Sequence, residues 1–154
     1  MKSILTLLSK DHREVEELFK ELEKNEDLTP KKKEKLFDEL YIKLDAHATA
    51  EEEVVYVPLV TEKKIEDKTK EAYEEHHVVR ILLKELGAIK ATDDQWKAKL
   101  QVLKENVEHH VKEEESDLYD FIKQKYETSE LQAMGERFEL RKEELIKEQV
   151  SRAS

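Results

Sequence analysis

Two stretches of this chain repeat one pair of metal-ligating side chains at the spacing of a helical turn. His47-Ala48-Thr49-Ala50-Glu51-Glu52 recurs 63 residues later as His110-Val111-Lys112-Glu113-Glu114-Glu115, and in each copy a Tyr (Tyr56, Tyr119) stands nine residues after the His. Residues four apart lie on one helix face, about 6 Å apart at Cβ, so each His-x-x-x-Glu presents an imidazole beside a carboxylate. Burying such a pair is costly unless a cation lies between the groups, and here the cost would arise twice. The chemistry to which the repeat points is metal binding.

The elements that must position these groups read as long helices. The chain has 154 residues with 43% charged and 38% apolar, and only two Gly and two Pro interrupt it. That scarcity of breakers, with Glu, Lys, Leu and Ala dominant, predicts a few long helices in a single domain over 1–154. Helix 1 is expected from about Ser3 to Asn25, with Leu5, Leu8, His12, Val15, Phe19 and Leu22 as its core stripe. After a polar break at Asn25-Glu26-Asp27-Leu28, Thr29 is a good N-cap and Pro30 a good first residue for helix 2. Helix 2 carries Leu36, Leu40, Leu44, His47, Glu51 and Val55 on one face, with Pro58 near its end. Helix 3, about Lys70 to Lys90, has Ala72, His76, Val79, Leu83 and Leu86 in register. Thr92-Asp93-Asp94-Gln95 reads as a turn and capping box. Helix 4 then runs to about Tyr126 with Leu100, Leu103, Val107, His110, Glu114, Leu118 and Phe121 facing inward. A cap signal at Thr128 opens a shorter helix, about 129–149, whose Leu131, Met134, Phe138 and Leu145 dock on the bundle. Short connections make antiparallel neighbours, so the expected fold is all-α: an up-down-up-down four-helix bundle over about 3–126 with one appended C-terminal helix.

Of six histidines, four (His12, His47, His76, His110) lie on the apolar stripes of four different helices. If about three positions in seven face the core, four independent placements there have a joint chance of roughly 3%. A lone core histidine is most simply satisfied by a neighbouring carbonyl; four imidazoles and two carboxylates on converging stripes are better explained by metal. His77 and His109, the other members of the His-His dipeptides, have mostly polar helical neighbours and are expected at the rim, although rotating helix 3 by a third of a turn would exchange His77 for His76. Glu52 and Glu115 fall just beside the inner stripe; they read as a solvated helix face, with a hydrogen bond that orients a ligand as the alternative. Imidazole and carboxylate donors without thiolate suit iron, manganese or zinc, and two carboxylates able to bridge suggest two ions.

The Asp11-His12 pair, His47-x-x-x-Glu51, the Glu75-His76 pair before Leu82-Leu83, and His110-x-x-x-Glu114 resemble, in order and spacing, the haemerythrin-like HHE cation-binding domain family. The resemblance covers nearly the whole chain. It implies a four-helix bundle around a non-haem di-iron centre, oxo- or hydroxo-bridged, with His12, His47, Glu51, His76, His110 and Glu114 as ligands and the two glutamates bridging. Where the oxygen-carrying haemerythrins have a second helix-3 His one turn from the first, this chain has Ala72 and Arg80, which implies a less His-rich iron and an extra exchangeable position. The family's Pro after the helix-2 Tyr is displaced by one residue here (Val57, then Pro58), and Asp120 follows Tyr119.

Composition narrows the partners. With a formal net charge of −10 and Lys31-Lys32-Lys33 as the only basic run, nucleic acid is not an expected partner. The absence of cysteine excludes disulfides and thiolate sites. No apolar run reaches membrane-spanning length and Met1 to Lys10 lacks the features of a signal peptide, so a cytoplasmic protein is expected. The function expected first is binding of dioxygen or nitric oxide for sensing, buffering or stress response. Second comes peroxide decomposition of the catalase or peroxidase kind, and third iron handling or storage. Any protein partner is unknown from sequence.

Overall fold

Ser3 opens the first helix: its hydroxyl accepts the Leu5 N–H at 3.2 Å, satisfying one of the donors that a helix start leaves free. In the computed structural model, which describes residues 1–24 and 27–153, α1 (Ile4–Lys24) buries Leu5, Leu8, His12, Val15, Phe19 and Leu22 on one face. The break expected at Asn25 and Glu26 lies outside the described residues. Thr29 caps α2 (Pro30–Glu51), accepting from the Lys32 N–H at 3.3 Å, with Pro30 in the first turn. α2 continues without a loop through a π-helical turn, Glu52–Tyr56, into α3 (Val57–Leu59), which carries Pro58.

α4 (Glu66–Gly87) starts four residues before the expected Lys70 and buries Ala72, His76, Val79, Leu83 and Leu86. The start of α5 (Trp96–Glu113) departs from the expected capping box. Gln95 makes no side-chain cap; instead Asp93 Oδ1 accepts the Gln95 N–H at 2.8 Å, so the turn is set by Asp93 and the helix begins later. A second π turn, Glu114–Leu118, leads into α6 (Tyr119–Lys125). The C-terminal α7 (Thr128–Ala153) is not short: at 26 residues it is the longest element described. It packs across α1 and α2, burying Met134 and Phe138. Full burial of a side chain such as Phe138 contributes about 1.5–3 kcal/mol. Among the described residues there is no strand, and the arrangement is a four-helix bundle with an added helix.

The π turns fix the register of the site. An α-helix advances 100° per residue, so a residue nine positions on points away from the first. Inserting one residue brings it back. His47, Glu51 and Tyr56 therefore share a face, as do His110, Glu114 and Tyr119, at spacings of four and then five. The same insertion moves the buried position past the second turn from the expected Phe121, which is half-buried, to Ile122, which is 1% exposed.

Two apolar clusters flank the site. One gathers the start of α1, both π turns and α7, including Leu8, Val54, Leu59, Ile122 and Phe138. The other gathers the opposite ends of the bundle helices, including Val15, Leu44, Val79 and Val107. The four histidines lie between them in sequence and in space, a polar layer shielded on both sides.

Candidate metal centre

Each bundle helix delivers one imidazole to the polar layer, and each ring is held from behind. His12 Nδ1 lies 2.7 Å from Glu115, His47 Nδ1 2.8 Å from Asp11, His76 Nδ1 2.7 Å from Glu52, and His110 Nδ1 2.8 Å from Glu75. A carboxylate can only accept, so each Nδ1 carries the proton and donates it. With Nδ1 so engaged, Nε2 is the nitrogen turned inward, and once it gives up any second proton it is the form that binds metal. The supports close a ring around the bundle: Asp11 of α1 holds α2, Glu52 at the end of α2 holds α4, Glu75 of α4 holds α5, and Glu115 at the end of α5 holds α1. Each support stands directly beside one of the six inward donors in sequence.

The inward atoms form two groups that share both glutamates. His12, His47, Glu51 and Glu114 offer ligand atoms all within 4.8 Å of one another, and so do Glu51, His76, His110 and Glu114. His12 Nε2 is 3.3 Å from Glu114 Oε1 and His47 Nε2 3.6 Å from Glu51 Oε1. In the other group His76 Nε2 is 3.3 Å from Glu51 Oε1 and His110 Nε2 3.2 Å from Glu114 Oε2. All six residues are buried, Glu51 completely.

Four of these atoms, His12 Nε2, His47 Nε2, Glu51 Oε2 and Glu114 Oε1, are buried without a hydrogen-bond partner. They comprise the whole of the first group, one atom from each residue. With the rings neutral, lone pairs would face lone pairs in an apolar interior at about 1–3 kcal/mol per atom; a metal cation satisfies all four at once, and without one the rings take up protons. The residues present fit a metal.

The second group is finished differently. The Tyr56 hydroxyl lies 3.1 Å from Glu51 Oε1, 3.4 Å from His76 Nε2 and 3.3 Å from His110 Nε2, and it donates to Glu114 Oε2. Its ring stacks on His76 at 5.1 Å. Burial and the charges of Glu114 and Glu51 raise the Tyr56 hydroxyl well above the usual phenol range, so it keeps its proton in the absence of metal.

Three of the imidazoles, His12, His47 and His110, titrate against neighbouring carboxylates. Burial by itself would lower His47, but Glu51 and Asp11 outweigh it and push it up to about 10. His110 is likewise raised well above its ordinary value against burial by Glu114 and Glu75, and His12 is raised by Glu114 and Glu115. Without a cation the layer therefore holds protons in its place.

Residues 3–122 match the family described as the Hemerythrin HHE cation binding domain. The chain belongs to that family. The buried His/Glu cluster of this HHE domain is a metal-binding site. A crystal structure of a Hemerythrin HHE cation binding domain-containing protein from Mycobacterium kansasii has the same fold, with a TM-score of 0.83 at 24% identity, covering 98% of this chain and 91% of that one. A DNA nickase of Nostoc sp. (strain PCC 7120 / SAG 25.82 / UTEX 2576) is 32% identical over 143 residues, 93% of this chain. This HHE chain spans only 40% of that relative's length. Among the described residues no helix is long and apolar enough to cross a membrane.

The structure brings together all six residues singled out in the sequence, His12, His47, Glu51, His76, His110 and Glu114. His77 and His109 are exposed, at the rim as expected. Glu52 and Glu115 are not a solvated face: they are half-buried and bonded to His76 and His12, and Arg80 and Arg13 back them at 2.8 Å. Three residues went unassigned in the sequence. Asp11 and Glu75 were signalled by their place beside a histidine, as Glu52 and Glu115 stand beside a glutamate. Tyr56 was signalled by the nine-residue spacing, which no uninterrupted helix turns toward the site.

Proposed function

We propose that this HHE domain holds two iron ions, one between His12 and His47 and one between His76 and His110, with Glu51 and Glu114 shared between them. We further propose that the centre binds dioxygen or nitric oxide for sensing, buffering or stress response. The observation that carries this reading is the pair of donor groups with both carboxylates in common. Two carboxylates shared in this way would offset the mutual repulsion of adjacent cations, and four protein donors for each would leave coordination room. Iron, when bound, would supply the electrons and an exchangeable position for a diatomic ligand.

The surrounding side chains favour such a ligand. A cavity of about 30 Å³ touches all four imidazoles and is otherwise walled by Val15, Leu44, Ala48, Val79, Val107 and Val111 together with Asp11. It is large enough for one small molecule and mostly apolar, which suits a diatomic gas. It shares His12, Val15, Val107 and Val111 with a surface groove of about 270 Å³ between α1 and α5, so these side chains stand between the cavity and the surface. The test is metal analysis of protein purified without oxygen, then spectra on adding dioxygen and nitric oxide. About two irons per chain with spectral changes support the reading; one zinc per chain and no iron uptake on reconstitution refute it.

Peroxide decomposition is a second reading, favoured by Tyr56. Its hydroxyl lies 3.1 Å from Glu51 Oε1 and donates to Glu114 Oε2, placed to pass a proton to an oxygen leaving group at the His76/His110 half. Oxygen release from added hydrogen peroxide that is lost in Tyr56→Phe, with iron content unchanged, would favour this reading over simple binding. The nickase activity named for the longer Nostoc relative gains no support from a chain of net charge −10.

A further inference from the structure

Helix α7 follows the stretch that matches the family, yet it reaches the centre. Lys142 Nζ lies 2.8 Å from Asp11 Oδ1 and 3.1 Å from Oδ2, and the same Oδ2 accepts the His47 Nδ1–H at 2.8 Å. Asp11 is buried, so the ammonium supplies the charge balance that water cannot. One turn earlier on α7, Phe138 meets the His47 ring edge-on, at 5.5 Å and 81°, and closes the space into which that ring would swing.

The other supports are not held this way. Glu52 is backed by Arg80, which sits one turn from His76 on α4, and Glu115 by Arg13, the residue after His12 on α1. In both, the cation comes from the helix whose histidine is being held. Glu75 has the exposed His109 near its second oxygen at 3.7 Å. Asp11 draws its cation from a residue 131 positions away on a different helix. His47 is thus the imidazole whose orientation depends on whether α7 is docked.

We infer that Lys142 is a positioning residue for the His12/His47 half of the centre, and that metal in that half and docking of α7 strengthen one another. The inference rests on the metal-centre reading and adds an element that reports its occupancy. The physical chain is short: Lys142 fixes the Asp11 carboxylate, the carboxylate fixes the plane and tautomer of His47, and Nε2 meets the ion. By linkage, the factor by which docking of α7 strengthens metal binding is the factor by which metal tightens α7, and Lys142 carries that coupling. Loss of a partner behind a ligating histidine typically costs 10–100-fold in metal affinity; Lys142 acts one step further out, so about 10-fold is expected.

The test uses the full chain loaded with cobalt(II) or zinc(II), without dioxygen. Lys142→Met should weaken one of two cobalt ions about 10-fold and shift one of the four imidazole N–H resonances, while Lys142→Arg restores both. Arg141→Gln should leave them unchanged, because Arg141 binds Glu53 at 2.7 Å and touches no support of a histidine. Hydrogen exchange of α7 amides beyond Phe138 should slow about 10-fold on metal binding, and Lys142→Met should abolish that difference. Wild-type cobalt affinity in Lys142→Met, equal α7 exchange with and without metal, or the same defect in Arg141→Gln overturns the inference. If α7 does not respond although metal binds, the inference alone fails; if wild-type protein takes up no divalent cation, the metal-centre reading falls with it.

Discussion

Stripping the centre with a chelator leaves His47 between Asp11 and Glu51 with no metal to neutralise them, and the stability of the apo protein should then fall as pH rises. Burial opposes charge on His47, but the two carboxylates win and raise it from 6.5 to about 10. A group whose folded pKa is raised stabilises the fold fully below its unfolded value and loses that contribution as pH climbs to the folded value. The window is therefore pH 6.5 to about 10. At 1.36 kcal/mol per unit, the 3.5-unit difference corresponds to up to about 5 kcal/mol. Within the window the slope is about 1.4 kcal/mol per pH unit for this one group. His12 and His110 are raised as well and steepen it. Asp11, held at about 2 because His47 and Lys142 outweigh its burial, acts only in acid and leaves the alkaline limb clear. The assay is urea unfolding in chelator at pH 7, 8 and 9, with the midpoint expected to drop at each step. The metal-loaded protein should be nearly flat over the same range, since metal displaces the protons and the affinity gained as they leave offsets the fall in apo stability. Apo stability that is flat or rises from pH 7 to 9 would refute the account of His47 as a proton-holding site.

Three further sets of substitutions probe other parts of the structure. His76→Ala and His110→Ala should sharply reduce bound metal while His77→Ala and His109→Ala change it little, measured by elemental analysis; the reverse pattern would mean the exposed rings are the ligands. In Gly135→Ala the added Cβ would lie 2.4 Å from the Lys2 carbonyl oxygen and 3.1 Å from the Ile4 nitrogen, so α7 must back away from α1. Overpacking of this kind costs about 1–3 kcal/mol, and an unchanged urea midpoint would show that the chain before α1 yields instead. Tyr56→Phe removes the donor to Glu51 and Glu114 and should destabilise the apo protein by about 1–3 kcal/mol, read by thermal unfolding; a more stable apo protein would show that the hydroxyl is itself poorly accommodated.

The helical period made most of the fold and the six inward donors legible, because an imidazole on the same stripe as Leu8 and Val15, or Leu83 and Val79, can only point into the core. Ends were read less well. The Thr92 box competed with Asp93, and an Asp and a Thr so close together offer the same acceptor chemistry to different N–H groups. The π turns left no mark in composition, since Glu52–Tyr56 and Glu114–Leu118 contain ordinary helix residues, so the register error passed into Phe121 while Ile122 took the buried place. Asp11 and Glu75 were hidden because a residue beside a ligand lies 100° around the helix, off the stripe being followed; only the position of the next helix shows that it faces that helix's histidine. The length of α7 was underestimated because Leu140 and Val150 are exposed and the apolar stripe fades before the helix ends.

The supporting carboxylates also reveal how the bundle divides. Shift the numbering by 63 or 64 and α1 with α2 falls on α4 with α5: Asp11-His12 on Glu75-His76, His47 on His110, Glu51-Glu52 on Glu114-Glu115, Tyr56 on Tyr119. The centre thus lies near a pseudo-two-fold axis relating two helical hairpins. Two supports, Asp11 to His47 and Glu75 to His110, stay inside a hairpin, while Glu52 to His76 and Glu115 to His12 cross between them. A single hairpin facing a copy of itself across that axis would supply the same number of imidazoles and carboxylates and close the same ring. The two halves of the chain differ in what has been added to one side only: Lys142 behind Asp11, and Tyr119 turned away to Ser9 at 3.0 Å while Tyr56 stays among the ligands. Those additions make two otherwise matched donor groups unequal, so that a cation held in one would not behave as it does in the other.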